Sequence, residues 1–151
     1  MEEALRLGGA VRTISGRTRF LPGLLLGEVQ MDGSWGPVPR GPDKWAFLSD
    51  YRRLLNTPIQ GSAADLMVEA MLACNTYQHP RLVKLGHVNW TLVELAATML
   101  AQIHDELVFR VPAENAEAAR DEIKERMENA MKLSIPTTVD IHIVDHWGQA
   151  K

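Results

Sequence analysis

The stretch Gln102-Ile103-His104-Asp105-Glu106-Leu107-Val108-Phe109 sets two adjacent carboxylates between two apolar runs. Ala96–Ile103 reads as a buried strand and Leu107–Val111 as a second, rich in β-branched and aromatic residues. The expected join is a tight hairpin with His104-Asp105-Glu106 at its bend. Such a bend lifts acidic side chains out of a rigid sheet while the strands anchor it in the core. Carboxylate oxygens presented that way suit Mg²⁺, a hard cation that takes few protein ligands and leaves room for phosphate oxygens. An isolated His-Asp-Glu is more often a solvated acidic turn, so the remainder of the chain must decide.

A length of 151 residues suits one domain or a large piece of one, and a hydrophobic share of 46% leaves enough apolar material for a core. The single cysteine, Cys74, excludes an internal disulfide and any Cys-based metal site, and favours a reducing compartment. The opening Met1-Glu2-Glu3 does not read as a signal peptide, and no apolar run approaches membrane-spanning length. The expectation is a soluble, cytoplasmic protein with no membrane partner. A net charge of −3 argues mildly against a free-standing nucleic-acid binder. The charge is unevenly spread, however. Residues 1–60 hold eight Lys/Arg against six Asp/Glu, for +2, and residues 61–151 hold eight against thirteen, for −5. Arg12, Arg17, Arg19, Arg52 and Arg53 all lie in the first part. Taken alone, this asymmetry reads as an ordinary solvated surface.

Outward from the Asp105 hairpin, the chain divides into five stretches. In residues 1–22, Met1–Leu7 reads as the tail of a helix stopped by Gly8-Gly9. Ala10–Ile14 and Thr18–Leu21 then read as short strands across the turn dipeptide Ser15-Gly16. Residues 23–42 belong to a Gly/Pro-rich run, Pro22–Pro42, read as a surface loop without regular structure that carries Trp35. Residues 43–78 read as helix, with Asp43 as N-cap and Phe47, Tyr51, Leu54 and Leu55 at helical spacing. Pro58 interrupts this helix, and it resumes to about Tyr77. Residues 79–95 are a polar connection, His79–Asn89, followed by a short element from Trp90 to Leu95. Residues 96–151 hold the Asp105 hairpin, a helix from Pro112 to about Met131 with Ala116, Ala119, Ile123, Met127 and Met131 on its buried stripe, and a final alternating strand, Thr137–Val144. The layout is α+β, a mainly antiparallel sheet covered by helices.

A second constellation lies upstream. Arg52, Asn56 and Gln60 are spaced i, i+4, i+8 and form one polar stripe on a continuous or gently kinked helix. Leu55, Ile59, Ala63, Leu66, Met67 and Ala70 would then face the core. Hydrogen-bonding side chains of this kind suit the duplex minor groove, whose adenine N3 and thymine O2 acceptors vary little with sequence. Gly61, Ser62, Ala63 and Ala64 are small enough for another backbone or a nucleic-acid strand to come close. Three such residues by themselves more often make a solvent-facing stripe.

The segment Arg52-Arg53-Leu54-Leu55-Asn56-Thr57-Pro58-Ile59-Gln60-Gly61-Ser62-Ala63-Ala64-Asp65 resembles the Arg-x3-Asn-x-Pro-x-Gln-Gly-[Thr/Ser]-Ala-Ala-Asp motif of family A DNA polymerases, the bacterial DNA polymerase I type. Gln102–Val111 is similar to their motif C, with the His-Asp-Glu core intact. Gly16-Arg17-Thr18-Arg19-Phe20-Leu21-Pro22 resembles the Gly-Arg-Arg-Arg-Tyr-Leu-Pro hairpin that precedes these motifs. Val139–Ala150, with His146-Trp147, is similar to the family's C-terminal strand and its Asn-Trp ending. Order and approximate spacing agree across nearly the whole chain.

The resemblance implies a partial polymerase palm and assigns roles at the matching positions. Asp105 would hold catalytic Mg²⁺, Glu106 would be an accessory metal carboxylate, and His104 would sit by the primer terminus. Arg52, Asn56 and Gln60 would contact the primer–template minor groove, and Arg17 and Arg19 would lie near the backbone. The reaction would be attack of the primer 3′-hydroxyl on the α-phosphate of a dNTP. The family's motif A, which supplies the other metal carboxylate, and its dNTP-binding fingers helix lie upstream of every match found here. Residues 24–41 and part of 79–94 look inserted relative to the family. The expectation is therefore a C-terminal polymerase piece, inactive alone and completed by a second polypeptide carrying motif A and the fingers helix. A split gene of that kind fits a phage or a gene interrupted by a mobile element. A sheet lacking the motif A strand would also keep an open edge and an apolar face, which favours association. The alternative is a non-catalytic remnant that binds duplex or a partner. A weaker third reading is a metal-dependent phosphoesterase using Asp105, Glu106, Asp145, His142 and His146.

Overall fold

In the computed structural model, which describes residues 9–26 and 43–149, the described chain opens with an antiparallel hairpin of β1 (Ala10–Arg12) and β2 (Thr18–Phe20), in register Val11↔Arg19. The loop closes through Thr13 N–H to Arg17 O at 3.0 Å and Gly16 N–H to Thr13 O at 2.9 Å. Gly16 has φ +86°, the left-handed conformation that glycine adopts freely and that makes Ser15-Gly16 a turn. The expected Met1–Leu7 helix tail, Trp35 and most of the expected loop, residues 27–42, lie outside the described residues.

The start of that loop corrects the sequence reading, because Pro22–Leu26 forms a 3₁₀ turn. Its Gly/Pro content does not prevent one tight turn when the core draws it in. Leu24 is fully buried with Leu21, Val11 and Leu54. The Gly23 N–H donates to the buried carboxylate of Asp50 at 2.7 Å. A side chain at Gly23 would meet the Ala46 carbonyl oxygen at 2.5 Å, so helix and turn touch backbone to backbone.

The next helix, α1, runs Asp43–Asn56 and has Asp43 as its first residue rather than as the cap before it. It passes into a π-helical segment, Thr57–Gly61, and then into α2 (Ser62–Ala73). Pro58 has no N–H to give to the preceding turn and its ring crowds that turn's carbonyl, so the helix widens instead of continuing. Two expectations are corrected here. The helix ends at Ala73 rather than Tyr77. The buried face carries Phe47, Asp50, Leu54 and Thr57, whereas Leu55 is 57% and Ile59 73% exposed. Ala63 is exposed, Leu66 and Met67 are half-buried, and Ala70 alone of the expected core set is buried.

The chain divides into two units, Met1–Asp65 and Leu66–Lys151. In the second, the expected polar connection contains a short helix, α3 (Pro80–Lys84), capped by His79, whose Nδ1 accepts the Arg81 N–H at 3.2 Å. The element expected at Trp90 is α4 (Trp90–Glu94). The Asn89 side chain caps it, accepting the Leu92 N–H at 3.0 Å and donating to Ala73 O and Glu122 Oε1. β3 (Thr98–Ile103) and β4 (Glu106–Arg110) make the central hairpin, with a bulge between Met99 and Ala101. β3 starts two residues later than expected because Ala96, at φ +55°, turns away from any strand conformation. A 3₁₀ turn, Ala113–Asn115, leads into α5 (Ala116–Glu128), which ends three residues short of Met131. Ala119 and Ile123 of its expected stripe are buried with Cys74, Leu92 and Ala97, and Met127, Met99, Phe109 and Ile141 pack around them.

Residues 137–144 do not form the expected final strand. Burial alternates along Thr137–His142 as a strand's would, but the backbone bonds leave the ladder. The Val139 N–H donates to the Glu128 carboxylate at 3.0 Å, and Thr137 Oγ1 to the Glu128 carbonyl at 3.4 Å. The architecture is α+β as expected, and among the described residues the strands form two separate antiparallel pairs. No helix among the described residues is long and apolar enough to cross a membrane.

Candidate functional site

The five residues expected to bind nucleic acid share one open cleft of about 460 Å³ in the first unit, lined by Arg17, Arg19, Arg52, Asn56 and Gln60 together with Thr13, Thr18, Arg53, Thr57 and Gly61. One wall is the β1–β2 hairpin, and the other is the end of α1 with the π segment. Arg52, Asn56 and Gln60 all stay solvent-exposed although the helix changes its winding between them. The lining carries four guanidiniums and two amides and no carboxylate. That donor-rich, cationic surface suits phosphate oxygens and minor-groove acceptors.

Two aspartates behind the cleft hold two of its arginines. Asp65 accepts Arg17 Nε–H at 2.7 Å and takes the Ser15 hydroxyl on its other oxygen. The Ser15 and Thr13 hydroxyls, and then the Arg17 guanidinium, hold the Asp65 carboxyl below its usual range against the opposing effect of desolvation. Asp50, buried, accepts from Arg53 Nη1 at 3.0 Å. Among the described residues no carboxylate pairs with Arg19 or Arg52. The hairpin comes this close because Gly61 has no side chain: a Cβ there would stand 2.6 Å from Thr13 Cγ2. Sequence reasoning named Arg53 only among the basic residues of the first part, and gave no role to Thr13, Thr57 or the two aspartates. Polar residues at the core positions of a helical stripe, such as Asp50 and Thr57, were the available signal.

In the second unit, Asp105 lies in a two-residue bend, His104-Asp105, closed by the pair Ile103↔Glu106. Glu106 is thus the first residue of β4 and not part of the bend as expected. His104 has φ +53°, and two-residue hairpin loops require positive φ at this first central position. Gln102 Nε2 donates to the His104 carbonyl across the bend. His104, Asp105 and Glu106 are all exposed. Carboxylate oxygens such as those of Asp105 and Glu106 are the ligand type that Mg²⁺ takes, commonly one or two from protein with water and phosphate oxygens filling its shell. Among the described residues no group of three or more His, Cys, Asp or Glu gathers into a metal cage, so His142, Asp145 and His146 do not join this pair.

Comparison with known proteins gives a consistent result. The sequence model of DNA polymerase family A matches residues 1–149. The thermostable DNA polymerase I of Thermus filiformis is 37% identical over 146 residues, 97% of this chain and 14% of that protein. That of Thermus aquaticus is 36% identical over all 151 residues, again 14% of its length. Among solved structures, the polymerase domain of Pol1 from M. smegmatis, in complex with DNA primer-template and dNTP, superposes with a TM-score of 0.60 at 29% identity. That match covers 89% of this chain and 19% of that one. The chain therefore spans about one-seventh of the length of these two curated relatives.

Proposed function

The chain belongs to DNA polymerase family A, and from that membership we propose that it contributes a primer–template grip and the motif C carboxylates to template-directed DNA synthesis. The observation that carries this reading is the gathering of Arg17, Arg19, Arg52, Asn56 and Gln60 around one carboxylate-free cleft. In this reading the arginines neutralise backbone phosphates, and Asn56 and Gln60 donate to minor-groove acceptors, which secures correctly paired duplex without reading its sequence.

Asp105 and Glu106 would hold Mg²⁺, with His104 beside the primer terminus. Bound there, Mg²⁺ would favour loss of the primer 3′-hydroxyl proton and neutralise charge developing on the dNTP phosphates. The Asp105 carboxylate stands in the two-residue bend of the β3–β4 hairpin, exposed and so open to the reacting groups. Two carboxylates do not complete a two-metal site. In this reading a further carboxylate, and the groups that bind dNTP phosphates, would be supplied by a second polypeptide, and activity would belong to the complex of the two.

The test is primer extension by this chain mixed with a polypeptide carrying the upstream palm and fingers segments. Extension should require both chains and should vanish with Asp105→Ala, while duplex affinity stays within about twofold. Extension that survives Asp105→Ala would remove the catalytic assignment. The absence of a third carboxylate near Asp105 among the described residues favours, as a second reading, a duplex-binding remnant. That reading predicts salt-dependent duplex binding weakened by Arg52→Ala or Gln60→Ala, with no extension in any mixture.

A further inference from the structure

Arg17 is tied down along one edge. Its Nε–H donates to Asp65 Oδ1 at 2.7 Å, its Nη2 lies 2.7 Å from the same oxygen, and Nη2 also donates to the Gly61 carbonyl at 3.1 Å. A guanidinium is a rigid planar fork with five N–H donors. Fixing one edge therefore fixes the whole plane, and among the described residues the two Nη1 hydrogens have no partner. The Arg17 side chain is 60% exposed while that of Asp65 is 11% exposed, so the acid sits behind the base. The second Asp65 oxygen takes the Ser15 hydroxyl, and the neighbouring Ser62 hydroxyl accepts the Ile14 N–H at 2.9 Å. The start of α2 thus grips the hairpin tip at several points.

We propose that Asp65 is a positioning residue of the duplex interface, acting through Arg17 so that the Nη1 edge of the guanidinium meets a backbone phosphate. This rests on the reading of the cleft as a duplex interface. The two roles open to Asp65 predict opposite signs. An acid that merely lies near the cleft repels phosphate, so removing it strengthens duplex binding. An acid that presents Arg17 weakens binding when removed, even though the cleft becomes more positive.

The experiment measures duplex affinity of the full chain against salt concentration for wild type, Asp65→Asn, Asp65→Glu, Arg17→Ala and the Arg17→Ala/Asp65→Asn pair. Asp65→Asn should weaken binding roughly three- to tenfold and lower the salt slope by about 0.9, the value of one phosphate contact. Arg17→Ala should do the same, the pair should be no worse than Arg17→Ala alone, and Asp65→Glu should recover part of the loss. Equal or tighter binding by Asp65→Asn, or additive losses in the pair, overturns the proposal. If Asp65→Asn proves poorly folded, Asp65→Glu decides. Recovery of fold and salt slope together supports the proposal, and recovery of the fold without the slope overturns it. A wild-type chain with no salt-dependent duplex binding would overturn the duplex reading itself, and this inference with it.

Discussion

Gly61→Ala probes the closest approach in the cleft. The new Cβ would stand 2.6 Å from Thr13 Cγ2, about 1 Å inside ordinary carbon–carbon contact. Thr13 has little room to yield. It is 7% exposed, its N–H and C=O are bonded to Arg17 and Gly16, and its hydroxyl lies 3.1 Å from Ser15 Oγ. The hairpin must therefore shift as a body and carry Arg17 and Arg19 with it. Overpacking of this kind costs about 1–3 kcal/mol, and alanine in place of a helical glycine returns about 0.5–1 kcal/mol. The net expectation is a loss of about 1 kcal/mol, read as a urea midpoint lower by about 0.5 M, together with weaker duplex binding. Thr13→Ser deletes the offending methyl and keeps the hydroxyl, so the Gly61→Ala/Thr13→Ser pair should recover most of the loss, a coupling of about 1 kcal/mol. Wild-type stability and affinity in Gly61→Ala, or a pair no better than Gly61→Ala alone, would refute the packing argument.

Other consequences are equally open to measurement. Asp65 is held below its ordinary range by its hydroxyl and guanidinium partners, so the unfolded chain binds more protons than the folded one as pH falls through the carboxylate region. The contribution of Asp65 to stability is whole above the unfolded value near 3.8 and is lost as pH drops through the lower folded value. Asp65→Asn should flatten that acid limb in a stability–pH series, and an unchanged limb counts against the network. Burial pushes the Cys74 thiol up to about 12. A thiol reagent at pH 8 should react with it only as fast as the protein unfolds, and prompt labelling of native protein would contradict the burial. Ile123→Ala opens a cavity against Cys74, Leu92 and Ala97 and should cost about 2–4 kcal/mol, after allowing for the roughly 0.4 kcal/mol that alanine gains as a better helix former. A melting experiment that finds under 1 kcal/mol would mean that this core is not packed as described.

The elements legible in the sequence were those whose own pattern decides them. Leu107–Phe109 and the run before His104 are apolar stretches that flank a short polar bend, and they form the β3–β4 hairpin. Ala119 and Ile123 repeat at helical spacing and are buried. The misread elements depend on partners far along the chain. The 3₁₀ turn at Pro22 exists because Asp50, a distant residue, accepts the Gly23 N–H. Thr137–Val144 alternates like a strand, yet a ladder needs a neighbour, and Glu128 takes the Val139 N–H instead. Reading Arg52 to Gln60 as a continuous or gently kinked helix kept the polar stripe but assigned Leu55 and Ile59 to the core, although helical spacing puts them beside Arg52 and Asn56, and both are exposed. The candidate site was legible as residue types. The grouping of Arg17 and Arg19 with Arg52 in one cleft was not, because it rests on a hairpin docking where Gly61 leaves room.

The bond from Asp50 to Gly23 has one more consequence, for chain topology. It clamps the segment that ends at Leu26 against α1, which begins at Asp43. Gly23 and Asp50 stand 27 residues apart along the chain, so this one bond joins two stretches that the sequence holds far apart, and the same buried carboxylate, which also accepts from Arg53, couples the turn to a side chain of the cleft wall.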